Sequence, residues 1–181
     1  QASFDYILSL DADEVLSAEL KQSIKAVKSN WEYDGYELVR LTNYCGKWIK
    51  HSGWYPDKKI RLFNRNKASW EGNELHEELK LYSPAKKGIL KGDLLHYSFH
   101  SLSDHLKVID KYTEIQAKHL FEQGKNVNGY HLMIKPAFKF FRDYILKYGF
   151  LDGFHGYCIA KLSAKATFIK YAKLKLLYTK N

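Results

Sequence analysis

The sequence predicts an α/β chain in which a β-rich first part gives way to helices. Three observations predict it: a short apolar run that stops at a carboxylate cluster, apolar residues at helical spacing directly after it, and two further helical faces toward the end. Residues 4–10 (FDYILSL) combine apolar and β-forming side chains and are expected to form a buried strand running into the acidic turn Asp11, Ala12, Asp13, Glu14. Ser17 then has the right chemistry for an N-cap, because its hydroxyl can accept from a free backbone N–H of the first helical turn. Leu16, Leu20, Ile24 and Val27 follow at helical spacing with lysines between them, which predicts an amphipathic helix.

The middle of the chain reads as β-structure. Strands are expected over 36–43, 59–63 and 90–99, punctuated by Gly, Pro and Asn. A helix over 102–121 is expected to bury Leu102, Leu106, Ile109, Tyr112 and Ile115. A second would align Ile134, Phe138, Phe141, Ile145 and Tyr148 on one face.

Composition narrows the function classes. The 181 residues are 45% hydrophobic and include 14 Tyr, 10 Phe and 4 Trp, enough to build a core and contrary to intrinsic disorder. Cys45 and Cys158 are too few for a disulfide scaffold and lie in no zinc-like spacing, so a reducing compartment is expected. No apolar run is long enough to span a bilayer, and the opening residues lack the regions of a signal peptide. The net charge of +9 is unevenly placed: residues 134–181 hold ten Lys/Arg against two Asp, a net +8, together with eleven aromatics. A boundary near Gly129 is therefore expected, with a part at 1–128 and a basic amphipathic helical tail at 129–181.

The carboxylates supply the first site candidate. Asp11 and Asp13, one residue apart at a strand end, can address one hard cation that also holds phosphate oxygens, since Mg²⁺ and Mn²⁺ favour oxygen ligands. An EF-hand is excluded, because its loop would need a ligand at Val15 and a glycine at Leu16. A second cluster joins Trp54, Tyr55 and Asp57 to Arg61 and then to Glu74, His76, Glu77 and Glu78. An ionised Glu can take a proton from an attacking hydroxyl, and Glu77 leads there. Arg61 could neutralise a diphosphate through charge-assisted hydrogen bonds. Trp54, Tyr55 and Trp70 could stack on sugar faces or simply fill a core. His96, between Leu95 and Tyr97, is open to a ligand role or to a hydrogen-bonded place in a strand.

Taken in order, LSLDADEVLS, GYELVRLTNYCGKWIKHSGWYPDKKIRLFNR, WEGNELHEEL, LLHYSFHSLSDHLKVIDKY and the basic stretch with YGFLDGFHGY resemble the family 2 glycosyltransferases of the lipopolysaccharide core type. The resemblance covers nearly the whole chain. It implies a GT-A fold with a Rossmann-type sheet, and a DxD, here Asp11 and Asp13, that holds a divalent metal (Mg or Mn) on the diphosphate of a nucleotide-sugar donor. It also implies His96 as a further metal ligand, Arg61 on the donor diphosphate, Glu77 as catalytic base, and Trp54, Tyr55, Asp57 and His76 on the acceptor side. Family members carry a βαβ half before the DxD, whereas ten residues precede Asp11 here. The chain is thus expected to be the C-terminal half of such a sheet, without the N-terminal nucleotide-binding half, followed by a helical extension.

The implied partners are a nucleotide-sugar donor and a glycolipid or saccharide acceptor, with inverting transfer by direct displacement. The basic, aromatic tail adds an anionic membrane surface and a peripheral location on the inner face of the cytoplasmic membrane. The same composition would suit a nucleic-acid binder or a noncatalytic membrane adaptor. The acidic DADE turn and the lack of a nucleic-acid motif count against nucleic acid.

Overall fold

The computed structural model describes residues 3–72 and 78–180. Strands β1 (Tyr6–Leu8), β2 (Glu14–Leu16), β3 (Gly35–Tyr44), β4 (Lys47–Ile49), β5 (Asp57–Asn64) and β8 (Lys87–Phe99) form one sheet in the order β1-β5-β3-β8-β2, with β4 paired to β3. The pairs β1–β5, β3–β5 and β2–β8 are antiparallel. β6 (Ala68–Glu71) and β7 (Glu78–Leu81) form a separate antiparallel pair. The helices are α1 (Ala18–Lys28), α2 (Leu102–Glu122), α3 (Lys135–Phe141), flanked by π-helical turns, and α4 (Gly153–Lys180). The predicted α/β class with helices at the end is what the structure shows.

The chain divides into two compact units, Gln1–Thr42 with Tyr55–Ser98 and Asn43–Trp54 with Phe99–Asn181. In the first, α1 starts as the sequence predicts: Ser17 Oγ accepts from the Leu20 N–H at 3.2 Å, and Ser17 also exchanges hydrogen bonds with Asp93 of β8. Leu20 is completely buried with Tyr36, Leu38, Leu62, Leu90 and Leu94, and Ile24 and Val27 pack against this core. β8 can come this close to α1 because Gly92 has φ +89° and no side chain; a Cβ there would collide with the backbone N of Leu20. A smaller core joins Phe63, Ala68 and Leu79.

One expectation for this unit is corrected. The run at 4–10 is strand only over β1, which lies at the sheet edge and is half-buried, with Phe4 exposed. An edge strand has one neighbour, so its apolar residues are only partly covered.

In the second unit, Tyr44, Ile49 and Ile159 form a core with Trp54, Phe99 and Cys158 packed on it. α2 occupies the predicted span but buries a different face. His105, Ile109, Thr113 and Ala117 point inward at four-residue spacing, while Leu102, Leu106 and Tyr112 are exposed. α4 packs along α2, and the small Ala117 and Thr113 admit that approach better than the bulkier side chains do. Gly129, where the charge changes, lies inside this unit. Ile134, Phe138, Phe141, Ile145 and Tyr148 are all exposed.

Candidate active site

The acidic turn is a closed structure. The Glu14 N–H donates to the Asp11 carbonyl at 3.0 Å, and the Asp11 N–H donates back to Glu14 Oε2 at 3.1 Å. Glu14 opens β2 directly opposite His96 of β8, and the Tyr97 N–H donates to the Asp13 carbonyl at 2.9 Å, which ties the turn to the sheet. β5, in the same sheet, delivers Arg61, whose own carbonyl accepts from the Ser9 N–H at 2.8 Å.

This arrangement sorts the three carboxylates into different roles. Glu14 is buried, and a buried carboxylate needs a positive partner to offset lost hydration. Arg61 Nη2 donates to Glu14 Oε1 at 2.8 Å and also to Asp11 Oδ2, while Arg40 Nη1 lies 3.7 Å from Glu14 Oε1. Burial opposes the Arg61 charge, but Glu14 and Asp11 outweigh it and raise its pKa. Arg61 is itself buried, and its Nε has no hydrogen-bond partner among the described residues.

Asp13 is turned the other way. Its Oδ2 lies 3.2 Å from His96 Nε2, and His96 Nδ1 lies 3.3 Å from Thr42 Oγ1. Burial, then the nearby Arg40, pushes the His96 pKa below its ordinary value despite Asp13 and Glu14. The imidazole and a half-exposed carboxylate are thus in contact, one nitrogen and one oxygen of the types that a divalent cation accepts. Asp11, expected to share that cation, accepts from Arg61 Nη2 through Oδ2 and is exposed. Among the described residues, no group of three or more His, Cys, Asp or Glu converges as a metal site.

An open groove of about 840 Å³ begins at Asp11 and Arg61 and runs past Arg40 and Lys58 to the exposed Trp70 and to Lys87. Its cations are largely matched: Arg40 places Nε 2.9 Å and Nη2 2.7 Å from Asp57 Oδ2, and Lys87 reaches Glu37 at 2.7 Å. A surface of paired charges with one exposed indole suits hydroxyl-rich ligands, which need both donors and acceptors.

The other expected residues are placed as follows. Asp57 is the partner of Arg40, and the Tyr55 hydroxyl donates to Asp93 Oδ1 at 3.1 Å. Trp54 belongs to the second unit, edge-on to Tyr44 at 5.7 Å and tilted on Phe99 at 5.9 Å, so it packs in an aromatic cluster. His76 and Glu77 lie outside the described residues. Sequence reasoning missed Glu14 and Arg40. The first was visible as the fourth residue of DADE. The second had no local signal, because only the β3–β5 register sets Arg40 opposite Asp57.

Known proteins were found that match nearly the whole chain. An uncharacterized glycosyltransferase of Rickettsia typhi is 28% identical over 98% of this chain and 64% of its own length. One of Rickettsia felis is 29% identical over 98% of this chain and 67% of its own. The lipopolysaccharide core biosynthesis glycosyltransferase LpsC of Rhizobium meliloti is 23% identical over 96% of this chain and 65% of its own. The chain is similar to proteins named as glycosyltransferases. It spans about two thirds of the length of the relatives it matches. No family model and no solved structure matches.

Proposed function

We propose that this chain is the metal-binding and acceptor part of a GT-A glycosyltransferase that moves a sugar from a nucleotide-sugar donor to a lipopolysaccharide-core or other cell-surface glycan, with inversion. The observation that carries the reading is the contact of Asp13 with His96 beside a buried, carboxylate-paired Arg61, which with Asp11 lines a polar groove. Relatives named as glycosyltransferases, one of them for lipopolysaccharide core biosynthesis, support it.

Asp13 and His96 would hold a divalent cation, Mg²⁺ or Mn²⁺, which supplies charge neutralisation to a departing nucleoside diphosphate. Arg61 keeps Asp11 and Glu14 in place and presents its unpartnered Nε edge within the same cluster. Glu14, paired through both carboxylate oxygens, positions Arg61. Trp70 offers an exposed ring face for a sugar, and Asp57 fixes the Arg40 guanidinium along the groove. Glu77, with His76 beside it, is the proposed base that receives the acceptor hydroxyl proton as the new glycosidic bond forms. No described helix is long and apolar enough to cross a membrane, and the basic second unit is proposed to rest on the inner face of the cytoplasmic membrane.

The test is nucleoside diphosphate release by the full-length protein from a panel of nucleotide sugars with Mg²⁺ or Mn²⁺. Asp13→Ala should abolish metal-dependent release with unchanged circular dichroism. Undiminished turnover would remove the metal assignment.

A further inference from the structure

The second unit carries an exposed aromatic turn whose construction differs from that of an ordinary loop. Tyr148 (59% exposed), Phe150 (44%), Leu151 (58%) and Phe154 (74%) project outward. Between them, Gly149 and Asp152 are buried and hold the turn from inside. A Cβ on Gly149 would stand 2.5 Å from Ser52 Oγ and 2.6 Å from the Asp143 carbonyl, so only glycine allows the chain to pass there. Asp152 accepts from the His51 N–H at 2.8 Å and lies 3.1 Å from His51 Nδ1. The apolar side chains are therefore presented by a braced backbone. They extend into a continuous aromatic surface: Tyr148 contacts Phe150, Phe150 contacts Tyr144, and Tyr144 contacts Tyr157, which stacks on Phe154.

The charges around this surface show what covers it. Residues 134–181 contain two side-chain carboxylates, Asp143 and Asp152, and both are turned inward, 2% and 5% exposed. Asp143 is held by Lys139 at 2.6 Å and by Arg142 at 2.9 Å. Lys147 and Lys161 remain exposed, with Lys161 Nζ 5.9 Å from the Phe140 ring centroid. A face with large apolar side chains, exposed lysines and no exposed carboxylate side chain is complementary to anionic lipid: apolar groups enter the acyl boundary while ammonium groups stay among phosphates.

We propose that the turn at 148–154 is a wedge that inserts Tyr148, Phe150, Leu151 and Phe154 into the headgroup boundary of an anionic membrane, with Asp152 and Gly149 as its internal brace. The inference rests on the peripheral membrane placement proposed above and names the element that performs it.

Sedimentation of the full-length protein with phosphatidylcholine vesicles, with and without phosphatidylglycerol, tests it. Wild type should favour the anionic vesicles, less so in high salt. The combined Phe150→Ser, Leu151→Ser and Phe154→Ser variant should lose about tenfold or more of that partitioning, because three exposed apolar groups supply the insertion. Its circular dichroism should not change. Phe154→Trp should add emission that brominated lipids quench beyond the wild-type level. If wild type binds and the serine variant binds equally, the wedge is overturned and the membrane placement stands. If wild type binds neither vesicle, both fall. A serine variant with altered self-association but unaltered vesicle binding would assign the face to a protein interface and overturn the wedge. Nucleotide-sugar turnover without vesicles reports separately on the transferase reading, since wedge-dependent binding by an inactive protein would keep this inference and remove that one.

Discussion

The two units treat their charges in opposite ways. In the first, a buried carboxylate is enclosed by arginines: Glu14 holds Arg61 and lies near Arg40, while Asp13 is left half-exposed beside His96. In the second, Asp143 and Asp152, the two side-chain carboxylates of 134–181, are buried, while Lys147 and Lys161 are exposed. The first pattern builds a fixed local field with one acid left half-exposed. The second turns the carboxylates of 134–181 inward. Composition alone reports a net +9 and shows neither arrangement, because pairing depends on which strands and helices come together.

The largest expected effect tests whether the buried network is a unit. Glu14→Ala leaves Arg61 buried with one exposed carboxylate partner, and should cost about 3–5 kcal/mol, the usual consequence of removing one member of a buried ion pair. Hydrogen exchange should show the loss in Gln1–Thr42 and Tyr55–Ser98. An effect below about 1 kcal/mol would mean that Arg61 finds other compensation.

Acidification should act on the other unit. His105 is buried with Nδ1 2.9 Å from the Tyr44 hydroxyl, and burial lowers its pKa from 6.5 to about 4. The unfolded chain therefore binds a proton as pH falls through 6.5, while the folded chain resists until about 4. The stability from this group is complete above pH 6.5 and is lost as pH falls toward 4, by about 3 kcal/mol in total. His105→Gln should flatten that slope in urea midpoints measured across the window.

Asp152→Ala should cost roughly 1–3 kcal/mol by leaving the partly buried His51 N–H without its acceptor. Proteolysis near residue 150 should rise with it, whereas Glu14→Ala should leave that region unaffected. Ser17→Ala, the smallest change, removes the α1 cap and should cost about 1 kcal/mol in thermal melts. Asp93 would also lose its hydroxyl partner, so a near-zero effect would show that the cap is replaced by water.

Local chemistry was readable without a structure. Ser17 capping α1, Leu20, Ile24 and Val27 facing inward, and strands at β3, β5 and β8 follow from side-chain period and capping groups, which act within a few residues. The closeness of Asp11 and Asp13 was also visible, as was the exposed apolar set at Ile134, Phe138 and Phe141, although the pattern alone did not say whether that set would be covered.

Tertiary structure decided the rest, because those outcomes depend on partners distant in the chain. A 3.6-residue period identifies α2 as a helix, but α4 selects its His105, Ile109, Thr113 and Ala117 face. The DxD spacing is two residues, yet Asp11 meets Arg61, 50 residues on, while His96 meets Asp13 through the β2–β8 register. The count of ten cations against two acids in 134–181 was plain from the sequence. That both acids are buried follows from the lost hydration that only close ion pairs and backbone N–H groups can replace.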